Sequence, residues 1–150
     1  VAGTIATLST QAFGTWEWDM LKGADGNSLH CYFIDSDTSI HGGGIADGYT
    51  IRFDSTEAIV MRKYTNGSDV NLFSTAASYL NINQWYHGKM TVTKAGVRTV
   101  WIDGVIVDVS GGSGTNPVTD TTHSTSVFTV LDLDAGDRVA NFHYTDEILQ

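Results

Sequence analysis

Two carboxylates lie two residues apart in Phe13-Gly-Thr-Trp-Glu-Trp-Asp-Met-Leu21. Alternate residues of a β-strand point the same way, so Glu17 and Asp19 would share one face, opposite Trp16, Trp18 and Met20. Carboxyl groups about 5–5.5 Å apart suit retaining glycoside cleavage, and about 6.5–9.5 Å suits inversion. The simpler account is a solvated polar face behind a row of buried aromatics, and it is the favoured one.

A second chemistry needs no bond breaking. Pyranose C–H groups stack on exposed rings, while carboxylates, amides and guanidinium groups hold the hydroxyls. Trp101, Tyr32, Tyr64 and Tyr86 are candidate platforms, with Arg52, Arg62, Asn71 and Glu17 as polar partners. Trp101 shares its strand parity with Thr99 and Asp103. Each of these aromatics could instead pack in the interior.

Calcium takes several hard oxygens, often from Asp-rich loops. Asp35 and Asp37, with Asp47, form one candidate group; Asp132, Asp134 and Asp137 form another. Neither has the spacing of an EF-hand loop, and ordinary Asp-rich turns explain both. The five histidines are scattered without a His-x-x-x-His pair, which argues against zinc. No Gly-x-Ser-x-Gly elbow or phosphate loop is present. Cys31, the one cysteine, sits in the apolar run Leu29–Ile34 and reads as a buried, inert thiol.

These residues must be held by strands. Apolar positions repeat at two rather than 3.6. Tyr49, Ile51 and Phe53 alternate with Arg52 and Asp54, and about ten short runs of this kind are separated by turn signals. Asn66-Gly67 and Asp103-Gly104 are hairpin turns in which both central residues need positive φ. Residues 111–125 read as a long polar loop. With no helices to make crossovers, the sheets should be antiparallel and stacked as one sandwich over residues 1–150.

The chain has 150 residues, room for one core that buries roughly 68–70% of the surface exposed on unfolding. Its net charge is −9. An acidic surface repels nucleic-acid phosphates and anionic lipid heads, so neither is an expected partner. No apolar run is long enough for membrane insertion. The opening at Val1, without Met, suggests a domain processed or excised from a longer chain.

Several blocks in order resemble the laminin-G-like branch of the concanavalin-A-like jelly rolls. They are Phe13-Gly-Thr-Trp-Glu-Trp-Asp19, Gly48-Tyr-Thr-Ile-Arg-Phe53 with Met61-Arg-Lys63, Trp85-Tyr-His87 with Trp101-Ile-Asp-Gly104, and Asn141-Phe-His-Tyr144. The resemblance implies an all-β, two-sheet antiparallel jelly-roll sandwich. It also implies a non-catalytic recognition module for a glycan or cell-surface component. A display domain of a virus particle, contacting other virion or surface proteins, is the alternative, and a homo-oligomer suits either. A glycan hydrolase or lyase ranks last. Related glucanases carry a third acid on the same face, where this chain has Leu21 and Lys22. The resemblance allows one rim calcium and places the protein outside the cell, at a cell surface or on a virion.

Overall fold

The computed structural model describes residues 3–35 and 47–146, with the backbone alone for residue 35. Thirteen strands follow in order: β1 (Gly3–Leu8), β2 (Gly14–Leu21), β3 (Leu29–Asp35), β4 (Gly48–Phe53), β5 (Ile59–Thr65), β6 (Ser68–Ser74), β7 (Trp85–Val92), β8 (Val97–Ile102), β9 (Val105–Ile106), β10 (Ser113–Gly114), β11 (Val118–Thr119), β12 (Phe128–Leu133) and β13 (Arg138–Thr145). They make two antiparallel sheets. One runs β1-β12-β3-β4-β5-β6-β10; the other runs β11-β8-β7-β2-β13, with β9 on β8. The fold is the expected all-β jelly-roll sandwich, and no described helix is long and apolar enough to cross a membrane.

Strand alternation builds the core. Trp16, Trp18 and Met20 of β2 are fully buried and meet Leu29, Cys31 and Phe33 of β3 and Tyr49, Ile51 and Phe53 of β4. The Phe33 ring lies 5.9 Å from that of Trp16 and 5.2 Å from that of Trp18. Each such side chain contributes roughly 1.5–3 kcal/mol by leaving water. Burial pushes the Cys31 thiol up, so it stays protonated and inert. Gly88 faces Trp18 across the β2–β7 ladder, and a Cβ there would stand 2.5 Å from Trp18 Cε2. The indole fills the space that Gly88 leaves.

The turn chemistry is as expected: φ is 49° and 75° at Asn66-Gly67, and 51° and 78° at Asp103-Gly104. Two segments differ. Residues 3–8 form an edge strand against β12, although the sequence singled out no strand there. The polar stretch 111–125 is pinned rather than loose. It carries β10 on β6 and β11 on β8, and the Asn116 side chain bonds the Val100 N–H and the Val100 and Val107 carbonyls. The two-residue strands Ser113–Gly114 and Val118–Thr119 are too short to show a period, and their pairing is fixed by the neighbouring strands.

Candidate functional site

Five of the eight expected ligand residues meet on the outer face of the seven-stranded sheet. Register sets them side by side: Tyr32 on β3 opposes Thr50 on β4, Thr50 opposes Arg62 on β5, and Arg62 opposes Asn71 on β6. In adjacent rows, His30 opposes Arg52, and Tyr64 opposes Asp69. Antiparallel pairing of β3, β4, β5 and β6 in chain order brings these residues together, so each of the four strands contributes outward side chains.

The face mixes rings with cations. The Tyr32 and Tyr64 rings lie 6.3 Å apart, but Tyr32 is only 4% exposed, covered by its packing with Val130, Ala6 and Phe128, so it is not the open platform the sequence suggested. The Tyr32 hydroxyl lies 2.7 Å from His30 Nδ1. Arg52 Nε donates to Ser28 Oγ at 3.1 Å. Arg62 Nη1 pairs with Asp69 Oδ2 at 2.9 Å, while its buried Nε has no hydrogen-bond partner among the described residues. His30 and Thr50 were not among the expected residues; their parity with Tyr32 and Arg52 was the available signal.

Burial, reinforced by Arg52, lowers the His30 pKa to about 4, with Asp132 opposing, Arg62 adding a little and Asp134 opposing. The imidazole is therefore neutral at neutral pH. An unfolded chain takes up this proton near pH 6.5, whereas the folded chain resists until about pH 4. Stability from this group is present above 6.5 and drains as pH falls through that window, by at most about 3 kcal/mol. Urea unfolding at several pH values should show wild type losing ground to His30→Gln between pH 6.5 and 4. A constant gap between the two would contradict this account.

Glu17 and Trp101 lie on the outer face of the other sheet, one on each side of Lys89. Lys89 Nζ sits 4.7 Å over the Trp101 ring, beside a groove of about 400 Å3 lined by Thr91, Thr99, Ile106 and Pro117. Both acids of the pair are engaged. Glu17 Oε2 contacts His143 Nε2 at 2.9 Å; Asp19 contacts His87 Nδ1 at 2.8 Å and accepts from Asn141 Nδ2 at 2.6 Å. The bond from Asn141, then that from His87, holds the Asp19 carboxyl below the usual carboxylate range. The Asp19 hydrogen bond raises the His87 pKa. Tyr86 is in the core, edge-on to Phe53, with its hydroxyl accepting the Asn81 N–H.

The expected calcium ligands are dispersed. Asp47 caps the Asn66 N–H, Asp132 accepts from Thr4, Asp134 accepts the Ser28 N–H, and Asp137 holds the Gly23 and Asp134 N–H groups. The Asp35 side chain and all of Asp37 lie outside the described residues. Among the described residues, no group of three or more His, Cys, Asp or Glu is placed to hold a metal ion.

No family model matches the chain, and no curated protein matches it in sequence. Solved structures do match in fold. The carbohydrate-binding module CBM66 from Bacillus subtilis superposes with a TM-score of 0.70 at 18% identity, over 95% of this chain and 81% of that one. CG-16, a homodimeric agglutinin from chicken liver, gives 0.59 at 9% identity, over 95% and 100%. A Bacillus licheniformis β-glucanase gives 0.55 at 17%, over 89% of this chain and 59% of its own. At these identities the likeness is one of fold, and this fold carries binding proteins and an enzyme alike.

Proposed function

We propose that this concanavalin-A-like, laminin-G-like jelly roll is a non-catalytic glycan-recognition module that works outside the cell. Its binding surface is the outer face of the seven-stranded sheet. The observation that carries the reading is the outward row of Thr50, Arg62 and Asn71 in register, with Tyr64 beside it. Sugar hydroxyls can bond the polar side chains of this row, and the half-buried Tyr64 ring supplies an apolar platform. The printed names of the carbohydrate-binding module and the agglutinin add support, since both share the fold. On the opposite sheet, Glu17 and Asp19 are held by imidazoles and an amide, which suits a structural ladder better than an acid–base pair.

A glycan array on the purified chain finds the ligand, and titration calorimetry on variants tests the site. Arg62→Ala and Tyr64→Ala should each weaken binding by roughly 10–100-fold, the equivalent of losing one charge-assisted hydrogen bond or one ring contact, without lowering the melting temperature. Trp101→Ala should bind normally. If Trp101→Ala loses binding while Arg62→Ala keeps it, the site moves to the groove on the six-stranded sheet. An array without hits, together with a stable oligomer on sizing, would favour a structural display role through protein contacts. Turnover of a β-glucan that Glu17→Gln abolishes would make the protein an enzyme.

A further inference from the structure

We infer that the free edge of β1 is an interface at which a second copy of this chain adds its own β1, antiparallel across a two-fold axis. An exposed sheet edge offers a row of unpaired N–H and C=O groups to any other strand, and folded proteins blunt such edges with short strands, charges, proline or bulges. Among the described residues, three of the four sheet edges are blunted. In the six-stranded sheet, one edge is made of the two-residue strands β9 and β11, the latter entered through Pro117. The other, β13, opens on Arg138, carries a bulge between Ala140 and His143, and holds Asn141 at a φ of 50°. In the seven-stranded sheet, the far edge is the two-residue β10 beside β6, which carries Asp69 and a register shift against β5.

β1 has none of these devices. Its six residues, Gly3-Thr-Ile-Ala-Thr-Leu8, include no charge and no proline, and they pair with β12 in unbroken register. No described strand pairs with its other side. Both faces of the strand carry uncovered apolar groups. Ile5 opposes Leu131, on the side packed toward the core, yet is 60% exposed. Leu8 opposes Phe128 on the outer side and is 77% exposed. Antiparallel pairing about a two-fold keeps core-side residues opposite core-side ones, so one added strand covers both faces of the edge at once. Charge selects the occupant. Each copy carries −9, so two copies repel in most orientations. β1 is an uncharged strip, and the acid that opposes it on β12, Asp132, already accepts the Thr4 hydroxyl. A basic partner protein would be drawn to the acidic faces instead. Once two β1 strands pair, no comparable edge remains, so association stops at two.

Sedimentation equilibrium of the intact chain should give twice the chain mass at micromolar concentration. Amide hydrogen exchange across Gly3–Leu8 should slow as the protein is concentrated, because the second strand takes up free N–H groups. Ile5→Lys and Thr7→Lys place an ammonium on the core side of the edge at exposed positions. Each should weaken the dimer by about 10-fold or more without lowering the melting temperature of the dilute monomer. Val105→Lys, at a similarly exposed apolar position on β9, should leave the dimer unchanged. Sodium chloride should tighten it by screening two like charges. The mass of one chain at every concentration would overturn the second copy as occupant and leave the edge to a strand from another protein. So would a dimer that forms without slower exchange at residues 3–8, one that salt dissociates, one that Val105→Lys breaks and Ile5→Lys spares, or a mass that climbs past two chains. The Arg62 row lies on β5, with β12, β3 and β4 between it and this edge, so glycan binding succeeds or fails separately.

Discussion

Gly88→Ala should cost about 3 kcal/mol or more of stability, a large share of the roughly 5–15 kcal/mol that holds a domain of this kind together. On backbone grounds alone the change should help, because glycine weakens a strand and Gly88 has no left-handed φ to preserve. Space decides the sign. The new Cβ would lie 2.5 Å from Trp18 Cε2, 2.7 Å from Cζ2 and 2.8 Å from Nε1. Trp18 cannot swing away, since it is fully buried with Phe33 5.2 Å and Phe142 6.4 Å from it. Packed interiors yield little, so the overlap becomes strain across both sheets. Urea unfolding of wild type and variant measures the difference. Trp18→Phe, costly alone, should recover part of the loss when combined with Gly88→Ala. A variant as stable as wild type, or a double variant showing simple additivity, would remove the steric account.

The second large effect concerns the ion pair between Lys22 and Glu57, and it is asymmetric. The Lys22 side chain is 0% exposed, the Glu57 side chain 20%, and the two charges meet at 2.5 Å. Lys22 Nζ also sits 5.2 Å from the centroid of Phe53. Removing either partner strands the other, and an orphaned charge in an interior costs about 3–5 kcal/mol. The stranded group differs in the two cases. Glu57→Ala leaves an ammonium on a fully buried side chain, whereas Lys22→Ala leaves a carboxylate on a side chain that is already 20% exposed. Glu57→Ala should therefore sit near the top of that range and Lys22→Ala near the bottom. Lys22→Met with Glu57→Gln should come out milder than Glu57→Ala alone, because no charge is left behind. Equal losses in the two alanine variants would show that solvent access does not govern this pair.

Both effects bear on what a sequence reveals. The alternation of Trp16, Trp18 and Met20 against Glu17 and Asp19 states which side is inside, and the paired Asp-Gly and Asn-Gly turns state where strands reverse. Those are local signals. Lys22 and Arg98 look like surface residues by type, although Arg98 shares the parity of Val100 and Ile102; what buries them is a partner distant in sequence. The proposed ligand face was legible in the same partial way. Tyr32, Arg52, Arg62, Tyr64 and Asn71 lie on strands that neighbour one another in chain order, so parity and order nearly suffice to gather them. Glu17 and Trp101 are similar in type but belong to strands of the other sheet, and sheet membership is written in long-range pairing rather than in any local window. Tyr86 could have been excluded by parity, since it shares a side with Gly88 and Met90.

The two outer faces answer acid at different points. On one sheet, His87 gains a proton more readily than a free imidazole, drawn by Asp19 and Glu17; on the other, His30 refuses one until about pH 4. Mild acid therefore leaves His30 neutral, whereas His87 takes up its proton at a higher pH than an ordinary imidazole does.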